Sequence, residues 1–194
     1  MILAAGKSTR MKENKLLLKL NGETLIRHIV RTATSSNAKE VVVVLGYEAD
    51  KVREQLTRLQ CKLVVNEGFE KGQSESVKVG LAAVSGGAEA VMFLPADVAL
   101  IDEQSINEVI DEYRRSKNPI VIASHLNQSG HPILLDRTLF REISEIGEDT
   151  SGLKAVINRH TAGVKYVDVG TENVLIDIDT REEFDKYFRK PTAI

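Results

Sequence analysis

Three cationic side chains follow a short apolar run near the start of the sequence. Lys7, Arg10 and Lys15 fall within a stretch of nine residues, and small residues at positions 4–6 precede them. Small residues let backbone amides approach a ligand closely, and the cations can balance several phosphate charges. The segment predicts a cradle for a triphosphate, and a basic surface loop with an incidental glycine is the alternative.

Two other phosphate-binding motifs do not fit this sequence. The triplet Gly6-Lys7-Ser8 occurs in P-loops, but that motif needs a glycine five residues before its last glycine, where Met1 stands. No G-x-G-x-x-G follows any predicted strand, so the dinucleotide-binding fingerprint is excluded as well.

A carboxylate follows a second apolar run, in the segment Leu94-Pro95-Ala96-Asp97. A hard divalent cation such as Mg²⁺ prefers carboxylate oxygens and bridges them to substrate phosphates. The position predicts Asp97 as a metal ligand, and an ordinary aspartate in a strand-to-helix turn is the alternative.

Two further carboxylates, Asp177 and Asp179, occur near the end of the chain in an apolar setting. On a strand, positions i and i+2 share one face, so either residue could supply a second metal ligand. Asp179 or Thr180 could equally be the N-cap of the helix that follows. Capping and metal binding are compatible.

The elements that must position these residues alternate along the chain. Short β-branched runs between amphipathic helical stretches predict the α/β class, with a mostly parallel sheet covered by helices on both faces. Ligands of such sheets bind beyond the carboxyl ends of the strands. Strands are predicted at 1–5, 40–45, 62–66, 90–95, 119–124, 131–135, 165–169 and 174–178. Helices are predicted at 24–36, 49–58, 74–84, 103–116, 136–144, 152–159 and 181–188.

The pattern changes after Asn118. Two predicted strands are joined there only by a polar turn around residues 127–130, which is too short for a helical crossover. A small hairpin-like lobe beside the main sheet is expected. No linker or internal repeat divides the sequence, so residues 1–194 are predicted to form a single domain.

Composition narrows the classes of function. With 42% hydrophobic and 28% charged residues, the chain is typical of soluble globular proteins. With 26 basic and 28 acidic residues, the chain has no excess of positive charge that would attract a polyanion. Nucleic acid is therefore not expected as a partner. No apolar run approaches the roughly 20 residues that span a bilayer, and Cys61 is the only cysteine. A cytoplasmic protein without membrane association is expected.

The segment from Leu3 to Arg10, together with Lys15, resembles the signature L-A-A-G-x-S-x-R-M-G-x-x-K of MobA-like nucleotidyltransferases. It is most similar to the molybdenum cofactor cytidylyltransferase branch. Lys12 stands where the signature has a glycine, and Val98 and Ala99 replace the Gln or Met and the Pro that commonly follow Asp97 in the family. The resemblance implies a three-layer α/β/α fold with a Rossmann-like sheet of the nucleotide-diphospho-sugar transferase (GT-A-like) type.

The resemblance continues, in matching order, through the rest of the chain. It includes the loop N-x-x-x-x-x-G-x-S-x-S between Asn66 and Ser76, the element Gly130-His131-Pro132, the stretch 147–154 and the closing D-x-D-T motif. On its own, Gly72 permits a tight turn and Ser74 can cap a helix whose amides face a ligand. A plain loop with an N-cap is the alternative there, and a simple helix-start loop is the alternative at Gly152 and Lys154.

The resemblance implies a role for each matching position. The catalytic residues are Arg10, Lys15 and Asp97, and the metal ligands are Asp97 and then Asp179, ahead of Asp177. The nucleotide-binding residues are Leu3, Ala4, Ala5, Gly6, Lys7, Ser8, Arg10, Lys15, Asn66, Gly72, Ser74, Ser76, Pro95 and Ala96. The acceptor-binding residues are His131, Asp149, Gly152 and Lys154.

The implied reaction is a Mg²⁺-dependent nucleotidyl transfer. A phosphate of a molybdopterin-type cofactor attacks the α-phosphorus of CTP, and pyrophosphate leaves. A molybdoenzyme or its maturation chaperone is the expected partner. The alternatives are transfer to a sugar or polyol phosphate, and a nucleotide-binding accessory protein without turnover.

Overall fold

A computed structural model of the protein describes residues 1–11, 13–20 and 22–188. Lys12, which departs from the nucleotidyltransferase signature, lies outside the described residues.

Seven strands form one sheet in the order β5-β4-β1-β6-β8-β7-β9. The strands β5, β4, β1 and β6 run parallel, and β9 runs parallel to β7. The strand β8 lies between β6 and β7 and is antiparallel to both. The sheet strands are β1 (Ile2–Ala4), β4 (Val42–Leu45), β5 (Lys62–Val65), β6 (Ala90–Pro95), β7 (Ile120–His125), β8 (Gln128–Asp136) and β9 (Val164–Asp168).

The helices lie on both faces of this sheet, which confirms the predicted α/β class. One hydrophobic cluster joins one face to α1, α2 and α4, and a second joins the other face to α3, α5 and α6. Alternate residues of β1 serve the two clusters, because successive side chains of a strand point to opposite faces. The helices are α1 (Leu25–Ser35), α2 (Ala49–Gln55), α3 (Gln73–Ala83), α4 (Glu103–Ser116), α5 (Phe140–Ser144), α6 (Leu153–Arg159) and α7 (Arg181–Phe188).

The hairpin predicted around Asn127 is formed by β7 and β8. Both strands belong to the seven-stranded sheet, and β8 fills the place beside β6. The register shifts between Ile122 and Ser124, so the hairpin bends before its tip. The tip itself extends past the end of β6.

The predicted strand at 174–178 is wrong. Its first half is a 3₁₀ turn, Glu172–Leu175, and no strand follows. Val174 and Ile178 are buried, which explains the apolar pattern, but the backbone crosses the end of the sheet instead of joining it. A Cβ added at Gly130 would overlap the carbonyl of Val174. The segment that crosses the end of the sheet therefore requires a glycine at position 130.

A short antiparallel pair, β2 (Lys19–Leu20) and β3 (Glu23–Thr24), was not predicted. Two residues per strand are too few to produce a periodic pattern. The pair connects the loop after β1 to α1. Among the described helices, none has the length and apolar character needed to cross a bilayer.

Candidate active site

A cavity of about 450 Å³ lies at the carboxyl ends of β1 and β6. Most of the predicted nucleotide-binding positions meet there, although they come from distant parts of the sequence. Its predicted lining residues are Leu3, Ala4, Ala5, Gly6, Ser8, Arg10, Lys15, Gly72, Ser76, Pro95, Ala96, Asp97 and Asp179. Gln73 and Phe69 also line it and were not predicted.

The loop after β1 holds Lys15 in this cavity. Asn14 is the N-cap of a 3₁₀ turn, Lys15–Leu17, and its side chain accepts a hydrogen bond of 3.1 Å from the Leu16 amide. The Lys15 amide donates to Ser8 Oγ at 3.3 Å. Because Leu16 is buried, the turn is anchored on the core and Lys15 projects away from it.

An ion cluster occupies one wall of the cavity. Lys15 Nζ lies 2.8 Å from Asp97 Oδ2 and 2.8 Å from Asp179 Oδ1, and Arg10 pairs with Asp179 Oδ2. Burial disfavours the Lys15 ammonium, but the charges and hydrogen bonds of both aspartates outweigh it and raise the pKa of Lys15. The hydrogen bond from Lys15 is also the main cause that lowers the pKa of Asp179.

Backbone contacts bring the two aspartates together. The Ile178 amide donates to the Asp97 carbonyl at 3.0 Å, which ties the closing segment to the end of β6. Glu183 then holds Asp179, because Glu183 Oε2 accepts from the amides of Asp179 at 2.8 Å and Thr180 at 2.9 Å. Thr180 Oγ1 accepts from the Glu183 amide in return, which completes a capping box at the start of α7.

Asp97 and Asp179 fit a divalent cation that takes its remaining ligands from water or from a bound substrate. Asp97 Oδ1 is buried and has no hydrogen-bond partner within the described part of the chain. No set of three or more His, Cys, Asp or Glu side chains in that part is arranged to hold a metal. A cation on Asp97 and Asp179 therefore needs water or phosphate oxygens to complete its shell, which is how Mg²⁺ is commonly bound.

Three predicted nucleotide-binding residues, Lys7, Asn66 and Ser74, do not line the cavity. Lys7 pairs with Glu70, at the cavity edge. Asn66 is buried and serves the loop itself, because its Nδ2 donates to Ser76 Oγ at 2.9 Å and its Oδ1 accepts from the Gly68 amide.

A second cavity, of about 600 Å³, adjoins the first and shares Leu3, Gln73 and Pro95 with it. Of the predicted acceptor-binding residues, it brings together His131, Gly152 and Lys154. Asp149 is not among its lining residues. Ser74, predicted for the nucleotide, and Asp177 also line this second cavity.

Burial shifts the pKa of two titratable groups in the second cavity. Burial lowers the pKa of His131, and the nearby Asp97 charge only partly opposes this. Burial, followed by the charge of Asp97, raises the pKa of Asp177. In the described structure His131 Nδ1 and Ser74 Oγ are buried without a hydrogen-bond partner.

Glu148 connects the walls of the two cavities, and sequence reasoning missed it. Its Oε1 accepts from the Ser74 amide at 2.6 Å, at the start of α3. Gly72 has a φ of +107°, and a Cβ there would overlap the Glu148 side chain. The stretch 147–154 gave a signal, but the residues singled out in it were Asp149, Gly152 and Lys154.

Comparison with known proteins gives consistent results. The model of the MobA-like NTP transferase domain matches residues 1–164. The bifunctional protein GlmU of Desulfotalea psychrophila is 32% identical over 133 residues, which is 68% of this chain and 38% of GlmU. This chain therefore spans 38% of that relative's length. The purine catabolism protein PucB of Bacillus subtilis is 29% identical over 191 residues, covering 94% of this chain and 92% of PucB.

Solved structures agree with the fold. The crystal structure of Rv0371c from Mycobacterium tuberculosis superposes with a TM-score of 0.84 and 25% identity, and the match covers 97% of this chain and 95% of Rv0371c. A further structure of Rv0371c is a complex with manganese. The family model covers most of the chain and spans the residues that line the cavity at the ends of β1 and β6, apart from Asp179, so the chain belongs to the MobA-like NTP transferase family.

Proposed function

We propose that this nucleotidyltransferase transfers CMP from CTP to a molybdopterin-type molybdenum cofactor, with Mg²⁺ as the divalent cation and pyrophosphate as the product released. The observation that carries the proposal is the contact of Lys15 with Asp97 and Asp179, each at 2.8 Å, beside a loop of small residues. Such a group at the ends of parallel strands suits a triphosphate bound with a metal ion.

In this reaction a phosphate oxygen of the acceptor forms a bond to the α-phosphorus of CTP. The bond from the α-phosphorus to the bridging oxygen breaks, and pyrophosphate leaves with that oxygen and the electron pair. Mg²⁺, when bound by Asp97 and Asp179, neutralises charge on the phosphates. Arg10 and Lys15 stabilise the remaining negative charge, so catalysis rests on positioning and charge neutralisation.

The proposal gives each substrate a cavity of its own. The backbone of residues 3–6 holds the nucleotide, while His131, Gly152 and Lys154 hold the acceptor. The shared wall of Leu3, Gln73 and Pro95 supports this assignment, because two substrates must lie side by side to react. The proposal includes a single domain over residues 1–194, a cytoplasmic location and delivery of the product to a molybdoenzyme or its maturation chaperone.

The choice of CTP and of the molybdenum cofactor rests on the Leu3-Ala4-Ala5-Gly6 resemblance. A sugar or polyol phosphate is the alternative acceptor. A nucleotide-binding accessory protein without turnover is the alternative of a different class.

The first test is thermal unfolding with CTP, GTP, ATP and UTP, each with and without Mg²⁺. A nucleotide at about 100 times its Kd should stabilise the fold by roughly 2.7 kcal/mol. We expect the largest shift with CTP and Mg²⁺, and loss of that shift in Arg10→Ala but not in Lys51→Ala, a surface control. Equal shifts with all four nucleotides would contradict the preference for CTP.

The second test is pyrophosphate release from CTP with the molybdenum cofactor, or with a panel of sugar and polyol phosphates, as acceptor. Release that requires the molybdenum cofactor supports the proposal. Release with a sugar or polyol phosphate alone identifies the alternative acceptor class. Nucleotide binding without release with any acceptor would indicate the accessory protein.

A further inference from the structure

The Lys15 ammonium occupies the space between the two carboxylates that would hold a metal. Its Nζ lies 2.8 Å from one oxygen of Asp97 and 2.8 Å from one oxygen of Asp179. The Lys15 side chain is 13% exposed, against 25% for Asp97 and 34% for Asp179. The cation is thus the most enclosed member of the cluster.

We propose that Lys15 is an internal counter-ion that competes with the divalent cation for this carboxylate pair. Metal binding is then weak in the nucleotide-free protein, and it strengthens when the phosphates of a nucleotide draw Lys15 away. The inference rests on the proposed function only in that a nucleotide with phosphates enters this cavity.

The oxygen atoms of the pair support the competition. Both oxygens of Asp179 are engaged, one by Lys15 and the other by Arg10. One oxygen of Asp97 accepts from Lys15, which leaves the buried Oδ1 as the carboxylate oxygen of the pair without a partner. A single such oxygen cannot replace the hydration shell of a divalent cation, which takes about six oxygen ligands.

The charges lead to the same conclusion. Lys15 and Arg10 together balance the two negative charges of Asp97 and Asp179, so the pair presents no excess charge to a cation. Attraction between partly buried charges is stronger than in bulk water. A divalent cation must therefore displace an ammonium that is already well bound.

The local structure lets Lys15 change partners without moving the backbone. Its amide is fixed by Ser8 Oγ, and the turn that carries it is capped by Asn14. The four-carbon side chain is flexible and binds phosphate as a point charge. Because Lys15 also lines the cavity, its ammonium can reach a phosphate there while the carboxylates are released.

Arg10 is a weaker competitor. Within the described residues Arg10 pairs with Asp179 and with no other carboxylate, and its side chain is 69% exposed, so solvent screens the pair. Removing Arg10 should therefore change metal affinity much less than removing Lys15.

The test measures Mn²⁺ binding to the nucleotide-free protein by electron paramagnetic resonance of the free ion. We expect Lys15→Met to bind Mn²⁺ at least tenfold more tightly than the wild type. Lys15→Gln, which keeps a hydrogen-bond donor but no charge, should also bind more tightly. Lys51→Met is the matched control, because it removes an exposed lysine paired with Glu48, and it should bind as the wild type does.

An unchanged or weaker Mn²⁺ affinity in both folded Lys15 variants would overturn the proposal, as would the absence of binding to every protein. Circular dichroism identifies any variant that fails to fold. A measurement on the wild type serves as a second test that needs no variant. The NMR signals of the Lys15 side chain should shift on addition of CTP alone and change little on addition of Mg²⁺ alone at the same concentration.

An equal response to Mg²⁺ alone would overturn the proposal. These readouts separate the inference from the proposed function, because Mn²⁺ binding needs neither turnover nor an acceptor. Tighter Mn²⁺ binding by Lys15→Met, together with no pyrophosphate release by the wild type, would support the competition between Lys15 and the metal and contradict the transferase reaction.

Discussion

The two cavities at the carboxyl edge of the sheet differ in how their polar groups are satisfied. In the first, Lys15 and Arg10 neutralise Asp97 and Asp179, so binding requires an exchange of partners. In the second, His131 Nδ1 and Ser74 Oγ are buried and lack a hydrogen-bond partner within the described structure. An unpaired buried polar group costs about 1–3 kcal/mol. A ligand of the second cavity can therefore gain affinity by supplying the first partner.

The largest effect is expected from a variant that breaks the ion cluster of the first cavity. Asp97→Asn keeps the size of the side chain but removes one of two charges that hold Lys15 and, in the proposed function, the metal. We expect turnover with Mg²⁺ to fall by about 10³-fold, as when one group that stabilises transition-state charge is removed. Steady-state release of pyrophosphate measures the loss.

Two further variants sharpen this comparison. Asp177→Asn changes a carboxylate of the second cavity and should act mainly on the KM for the acceptor. Asp50→Asn removes a carboxylate that is 89% exposed and should leave turnover unchanged. Near wild-type turnover in Asp97→Asn would show that the metal ligand is misassigned.

Gly72 tests the link between the cavities. Gly72→Ala places a Cβ where the Glu148 side chain lies and forces an alanine to a φ of +107°. The left-handed strain costs about 1–2 kcal/mol, and displacing Glu148 also removes its bond to the Ser74 amide. We expect a loss of about 2 kcal/mol in urea unfolding.

Gly86→Ala is the matched control, because its Cβ would meet nothing within 4 Å and its backbone has no left-handed φ. It should change stability little. Equal stability of wild type and Gly72→Ala would mean that the contact with Glu148 does not constrain the start of α3.

The first cavity could largely be predicted from the sequence, and the second could be predicted only in part. The first is built from residues that directly follow β1 and β6, and parallel strands bring such positions to one edge. The second depends on where residues 172–178 cross the sheet end. The apolar spacing of Val174 and Ile178 is the same for a strand and for a crossing segment, so periodicity could not separate them.

Individual contacts between residues distant in sequence also could not be predicted. The helix predicted at 103–116 has the bounds of α4, because its apolar residues recur on one face at helical spacing. The contact between Glu148 and Ser74 spans 74 residues and leaves no local pattern. Such pairings become visible only once the chain is folded.

Glu183 positions a carboxylate of the first cavity without lining it. Glu183→Ala removes the acceptor of the Asp179 and Thr180 amides. The loss of a capping contact costs about 1 kcal/mol. We expect turnover to fall by about tenfold, because a tenfold change corresponds to about 1.4 kcal/mol of transition-state stabilisation. The effect should appear in kcat and in Mn²⁺ affinity.

Glu183→Gln keeps an oxygen acceptor and should restore most of the activity, as the capping box accepts either residue. Glu182→Ala, at the exposed neighbouring position of α7, is the control. If Glu183→Ala lowers stability and leaves kcat and Mn²⁺ affinity unchanged, Glu183 caps α7 without positioning Asp179.

The smallest expected effect concerns pH and the second cavity. Burial lowers the pKa of His131 in the folded state below its ordinary value near 6.5. As the pH falls through this ordinary pKa, the His131 side chain takes up a proton in the unfolded chain but stays neutral in the folded chain. The contribution of His131 to stability is therefore fully present above the ordinary pKa and is lost as the pH falls through the lowered pKa. His131→Gln should reduce the loss of stability between about pH 7.5 and about pH 5.5, measured by urea unfolding.

His160→Gln, on the surface beside Glu142, is the control. An anionic ligand in the second cavity favours protonated His131 and should reduce the wild-type loss as well, whereas a nucleotide in the first cavity should not. Identical pH profiles for wild type and His131→Gln would mean that the two cavities do not differ in this respect.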